Sequence, residues 1–230
     1  PAMKRFLIAA TVSLALAACA SGPRLPRYGM ALKPVANPGD VIVAESAFAR
    51  LALEKGQWAA FRATAAEGAE MFVPQRVKAA DWLKGRPEPV VAVKWQPHAV
   101  WSSCDGSYAV TRGSWQSPNA SGTFATVWQR QRNGAYKWTA DMSLAAKPAE
   151  PAPEMVVASV ADCPKRDELL TVTGHFAGTS GADIASGSAA DNTLRWTTTV
   201  MPDGTRRIAV SLWKNGDWRE AFTESSGPDR

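Results

Sequence analysis

Apolar positions recur every three or four residues early in this chain and every second residue later. Val41, Ala44, Phe48, Leu51 and Ala52 fall at helical spacing. Pro38 and Gly39 precede them with Asp40 as the expected N-cap, and Gly56 closes the run. A second helix is predicted from Trp58 to about residue 66, with Trp58, Phe61 and Ala65 on one side. Gly68 interrupts the pattern, and Met71, Phe72 and Val73 lead into Pro74. A third, short helix is predicted over about 77–83, where Trp82 and Leu83 are apolar.

Beyond Pro89 the period falls to two. Strands are predicted over 90–103, bent at Pro97, then 107–116, 122–132 and 135–145, with Asp105-Gly106 and Asn133-Gly134 as turns. Short turns between long strands make one antiparallel meander. Residues 148–154, with Pro151 and Pro153, read as a linker. Strands follow over 155–161 and 168–176. Residues 177–192 are rich in Gly, Ser and Ala, with Ile184 as the one large apolar residue, and read as a mobile loop. Three further strands are predicted over 193–201, 205–214 and 217–223. Leu194, Trp196 and Val200, and likewise Ile208, Val210 and Leu212, alternate with polar residues, so this small sheet has one apolar face. Helices first and antiparallel strands after make the fold class α+β.

The start of the chain is of another kind. Met3-Lys4-Arg5 is basic, Phe6 to Leu16 is apolar, and two small residues lead into Cys19. The run is shorter than the ~20 residues that cross a bilayer. An ordinary signal peptide tolerates a cysteine at this place without requiring one. Leu16-Ala17-Ala18-Cys19 resembles the lipobox of bacterial lipoproteins. That resemblance implies removal of residues 1–18, lipidation of Cys19, and anchoring by several acyl chains where one alone is marginal. Ala20 stands where an Asp would favour the inner membrane, so the expected place is the periplasmic face of the outer membrane. Residues 19–39, broken by Gly22, Pro23, Pro26, Gly29, Pro34 and Pro38, read as a tether.

The remaining 212 of the 230 residues suffice for one large domain or two small ones. The net charge of +5 falls to +3 when Lys4 and Arg5 leave with the signal, which suits anionic lipid head groups better than nucleic acid. With Cys19 lipidated, Cys104 and Cys163 remain. In an oxidising compartment such a pair points to a disulfide; the alternative is two inert thiols.

Residues 40–147 resemble the nuclear transport factor 2-like superfamily, also called SnoaL-like or ketosteroid isomerase-like. The likeness lies in Gly56-Gln57-Trp58, Trp82-Leu83, Asp105-Gly106-Ser107-Tyr108 and Thr111 to Trp115. It continues in Gly122-Thr123-Phe124, Val127 to Arg130, Asn133-Gly134, Lys137-Trp138 and Asp141. The resemblance implies a cone in which helices pack inside a strongly curved sheet, with a pocket at the open end and dimerisation through the outer sheet face. Residues 155–225 would then form a β-rich C-terminal part. Enzymes of this superfamily place a carboxylate in the cone as general base, with a Tyr or a protonated acid polarising a carbonyl.

Candidates for such chemistry are Asp141, Tyr108 and His98, with Tyr136 and Asp105 behind them. By strand parity Asp141 shares a face with Lys137 and Thr139, opposite Tyr136, Trp138, Ala140 and Met142. It therefore points out of the cone unless a bulge intervenes. His98 and His175, the two histidines, have no partners at metal-ligand spacing, so neither a metal nor a cofactor is expected. No Gly-x-Ser-x-Gly elbow exists, and Gly178, Gly181 and Gly187 are spaced wrongly for a phosphate loop. Ten tryptophans are many for this length. They are core fillers or the wall of an apolar pocket, and Trp58, Phe61, Trp82, Trp95, Trp101, Trp128 and Trp138 are the ligand-binding candidates. Arg112, Arg130 and Arg132 form a basic stripe or a solvated face.

The first functional expectation is non-catalytic binding of a small apolar molecule in the cone. The second is a protein-interaction or assembly role at the outer membrane, as a homodimer or with an envelope partner. The third is an isomerase, dehydratase or hydrolase.

Overall fold

Helix α1 (Pro38–Lys55) is capped by Asn37 rather than by the expected Asp40. Asn37 Oδ1 accepts the Gly39 N–H at 3.2 Å, and its Nδ2 donates to Asp40 Oδ1 at 3.0 Å. Asp40 instead puts negative charge in the first turn. The computed structural model describes residues 35–146, 148, 150–164 and 181–227. Cys19, the signal segment, most of the tether, His175 and the strand expected over 168–176 lie outside the described residues.

Helix α2 (Gln57–Thr64) is capped from a distance. Glu88 accepts the N–H groups of Trp58 at 2.7 Å and Ala59 at 2.8 Å, and pairs with Arg62 at 3.0 Å. A carboxylate at a helix N-terminus meets orphan donors and the positive end of the dipole. Glu88→Ala is expected to lower stability by about 1 kcal/mol. A urea midpoint equal to that of the unaltered protein would remove this role.

The next residues depart from expectation. Residues 65–72 form strand β1 (Ala65–Phe72), followed by β2 (Arg76–Lys78) and the single-turn helix α3 (Ala79–Leu83). Local propensity around Gly68 is poor for a strand, but pairing against a distant strand overrides it. That partner is β6 (Tyr136–Ala146), to which β1 runs parallel.

Strands β3 (Lys94–Ser102), β4 (Tyr108–Gln116), β5 (Ser121–Arg130) and β6 form the expected meander. Strand β7 (Val157–Val160), assigned above to the C-terminal part, pairs parallel with β3 and belongs to the first sheet. The seven-stranded order is β2-β1-β6-β5-β4-β3-β7. Bulges break the register at His98 of β3 and at Thr139 of β6, and bulges bend a sheet.

A second sheet follows: β8 (Asp183–Ser188), β9 (Leu194–Val200), β10 (Arg206–Lys214) and β11 (Asp217–Ser225), in the order β11-β10-β9-β8. Strand β8 lies in the stretch expected to be a loop. It has little apolar content, but its Ser186 hydroxyl pairs with that of Thr197 at 3.0 Å. Gly187 lies so close under the Trp196 ring that a Cβ would stand 2.3 Å from it.

Two cores result. The helices bury Val41, Phe48, Phe61 and Leu83 against Val100, Trp128 and Trp138 on the inner face of the first sheet. On its outer face Val110, Val127, Met142 and Leu144 meet Leu194, Ile208, Val210 and Leu212 of the second sheet. The face through which the resemblance implies dimerisation is therefore covered by the chain itself. Cys104 and Cys163 are disulfide-bonded, with Cα atoms 5.1 Å apart. Arg112 does not belong to an exposed basic stripe: it forks between Glu150 and Glu224, the latter at 3.0 Å. Arg130 and Arg132 are exposed.

Candidate functional site

Thr111 of β4, Thr126 of β5 and Asp141 of β6 are successive cross-strand partners in one row on the inner face of the first sheet. Parity alone turned Asp141 outward. The bulge corrects this: Trp138 faces Trp128 across the ladder, but Ala140 faces Val127, so Thr139 is an extra residue. Before it Tyr136 and Trp138 point inward; after it Asp141 and Ser143 do, and Ala140, Met142 and Leu144 join the outer core.

Helix α1 lowers Glu45 onto this row. Val41, Glu45, Phe48 and Ala52 form the buried stripe of the helix, so a carboxyl occupies a core position with none of its surface exposed. Its Oε1 accepts the Trp95 N–H at 2.8 Å. Its Oε2 accepts the Thr111 hydroxyl at 2.6 Å and the Trp128 N–H at 3.1 Å. Burial holds the Glu45 carboxyl above the usual carboxylate range, and these three bonds only partly oppose it. Glu45 was not among the candidates above; a charged residue four after Val41 and three before Phe48 was the available signal.

Asp141 accepts the Thr126 hydroxyl at 2.8 Å. Burial pushes its pKa up to about 7, and the nearby Glu45 adds to the rise. The Asp141 side chain opens into a pocket of about 170 Å³, walled by Phe48, Phe61, Trp95, Trp115 and Phe124, with Gln57, Val93 and Ser143 completing its lining. Phe48 sets its ring edge against Phe61 at 4.7 Å and against Trp95 at 4.8 Å. At Gly113 a Cβ would stand 2.6 Å from the Phe124 ring, so glycine is what lets that ring lie across β4.

The other candidates are distributed unevenly. Phe61 and Trp95 line the pocket. Trp128 and Trp138 are fully buried behind it, and the Trp138 N–H is taken by Thr64 Oγ1 at 3.0 Å. Trp58 and Trp82 pack edge to face at 5.0 Å, with Arg86 stacked 3.5 Å over Trp82. Trp101 is not a pocket residue: it stacks on Phe222 at 4.5 Å, between the two sheets. Trp115 and Phe124, absent from the expected binding set, do line the pocket.

Tyr108 and His98 do not converge on Asp141. Tyr108 leans on Trp196 at 5.0 Å in the outer core. His98 sits in the β3 bulge with Nδ1 3.3 Å from Glu150. Tyr136 donates its hydroxyl to the Gly106 carbonyl at 2.6 Å, and Asp105 closes its own turn by accepting from Ser103 and Ser107. Among the described residues no group of three or more His, Cys, Asp or Glu could hold a metal ion.

No family model matches this chain, and no curated protein does. Among solved structures it is similar to the "Crystal structure of putative ketosteroid isomerase from Kribbella flavida DSM 17836". The two are 15% identical, with a TM-score of 0.33 over 50% of this chain and 86% of that one. A match of that extent does not bear on activity.

Proposed function

We propose that this chain is a lipid-anchored envelope protein that holds a small ligand in its cone pocket without transforming it. The observation that carries this reading is the pocket, a cavity with a mainly aromatic wall and one carboxyl. Its volume of about 170 Å³ compares with the roughly 150 Å³ cavity that admits benzene. A one-ring molecule fits inside it. The sequence Leu16 to Cys19 supports the anchor, and the Pro/Gly-rich stretch after it supports a tether.

The test is native mass spectrometry of the Cys19→Ser chain, exported to a periplasm and kept non-reduced. A retained mass of one-ring size is expected, lost when Ser143→Trp plugs the exposed mouth. A mass that survives the plug, or none at all, would refute occupancy of this pocket. For the anchor, labelled fatty acid is expected on the unaltered chain and not on Cys19→Ser.

The second reading, proton transfer by Asp141, is favoured by a carboxyl that titrates near neutrality. It has few donors to act as electrophile. The Trp95, Trp128 and Thr111 donors are taken by Glu45, and no tyrosine lines the pocket. Among the pocket's lining side chains, the Gln57 amide and the Ser143 hydroxyl are the donors left for a developing oxyanion. An assembly role has lost the outer face of the first sheet, which is covered, but retains the outward face of the second.

A further inference from the structure

The wall of the pocket is mainly aromatic, and its one ionisable lining group is an acid. Phe48, Phe61, Trp95, Trp115 and Phe124 stand around it, and Asp141 alone among its lining residues ionises. An aromatic face carries the negative end of a quadrupole. Glu45 stands behind the wall, bonded to neutral donors only. Among the described residues no lysine or arginine is close enough to pair with either carboxyl, whereas Glu70, Glu88, Glu150 and Glu224 all have basic partners. Once Asp141 is ionised with no cation to pair with it, the low-dielectric cone focuses a negative potential on the cavity. An anion is repelled there. A neutral hydrocarbon fills the space but leaves the Asp141 carboxyl desolvated and unmatched.

We infer that the cone pocket selects a small organic cation, an alkylammonium or arylalkylammonium of about one-ring size, seated on the aromatic faces with Asp141 as its counter-ion. The inference rests on the pocket function proposed above and names the class of ligand. A quaternary ammonium suits the site well, since it offers a cation with an apolar surface and asks for no hydrogen-bond acceptor beyond the carboxylate. It also lacks a proton to lose, so any pH dependence of its binding belongs to the protein. The titratable group facing Asp141 is Glu45 from α1. The other elements around the cavity present Gln57 and Phe61 from α2, Trp95 from β3, Trp115 from β4 and Phe124 from β5, none of which titrates in the neutral range. Affinity for a quaternary cation should therefore rise as pH climbs through neutrality and Asp141 ionises.

The experiment is calorimetric titration of the full chain with choline and with benzylamine, each beside its neutral counterpart, 3,3-dimethylbutan-1-ol and benzyl alcohol. The cations are expected to bind about tenfold or more tightly than the neutral molecules. Asp141→Asn and Trp115→Leu should each cost choline about tenfold in affinity, with an unchanged circular dichroism spectrum. Trp115 lies at the partly exposed rim, so its variant reports even if Asp141→Asn alters the fold. Neutral molecules binding as well as the cations would overturn the cationic class while leaving the pocket a binding site. Choline affinity indifferent to Asp141→Asn would overturn the counter-ion. Failure of all four compounds to bind would overturn the inference together with the pocket reading.

Discussion

Asp141→Asn is expected to make the protein more stable at pH 8, by about 2 kcal/mol, and to remove part of its pH dependence. The Asp141 carboxyl has a pKa of about 7 in the fold against 3.8 for the ordinary side chain. Between those values the folded chain holds a proton that the unfolded chain has released. Stability therefore falls as pH rises from about 4 to about 7, and stays at its lower value above that. At 1.36 kcal/mol per unit the whole shift has an upper bound of about 4 kcal/mol, and water reaching the carboxyl through the mouth reduces it by about half. Asparagine keeps an oxygen for the Thr126 hydroxyl and carries no charge at any pH. Part of the slope will remain, because the Glu45 carboxyl is raised as well and acts with the same sign. Urea denaturation of both proteins at pH 5 and pH 8 decides the matter. Equal pH slopes would mean that Asp141 is well solvated and does not serve as the strained acid of the pocket.

Breaking the disulfide is expected to cost about 4 kcal/mol. Cys104 and Cys163 are 59 residues apart in sequence, and closing a loop of that length removes roughly this much unfolded-chain entropy. The bond ties the turn after β3 to the segment after β7 at a crowded corner. The Cys104 N–H bonds Thr193 at 2.8 Å, the Asp105 N–H bonds Asp191 at 2.8 Å, and Asp162 accepts from Lys214 and Asn215. Strand β7 is only four residues long and runs parallel at the sheet edge. Cys104→Ser and the double variant Cys104→Ser, Cys163→Ser should lose similar amounts. A loss below about 1 kcal/mol in denaturant titrations with and without reductant would assign the corner's stability to its hydrogen bonds instead.

The helices and the long strands were legible because their apolar periods are regular and their turns carry Asp-Gly or Asn-Gly. Strands β1 and β8 were not. Ala65 to Phe72 contains Glu67-Gly68 and pairs with a strand more than 60 residues later, while Asp183 to Ser188 is nearly free of apolar residues and relies on β9. The site was half legible. Glu45 in an apolar stripe can be seen in the sequence, but its donors Trp95, Thr111 and Trp128 lie 50, 66 and 83 residues away. Asp141 stands out in the sequence as a residue, but strand parity gives it the wrong face. One inserted residue at Thr139, whose hydroxyl binds the Val127 carbonyl at 3.3 Å, decides the face, and no local pattern around Thr139 announces it.

The second sheet has a consequence for how the protein behaves when scarce. A sheet whose apolar side is shielded by another copy loses that shield on dilution, because the two must find each other. Here the shield is joined covalently to what it protects, at an effective concentration set by the connecting chain. The residues Val110, Val127, Met142 and Leu144 stay dry however few copies are present.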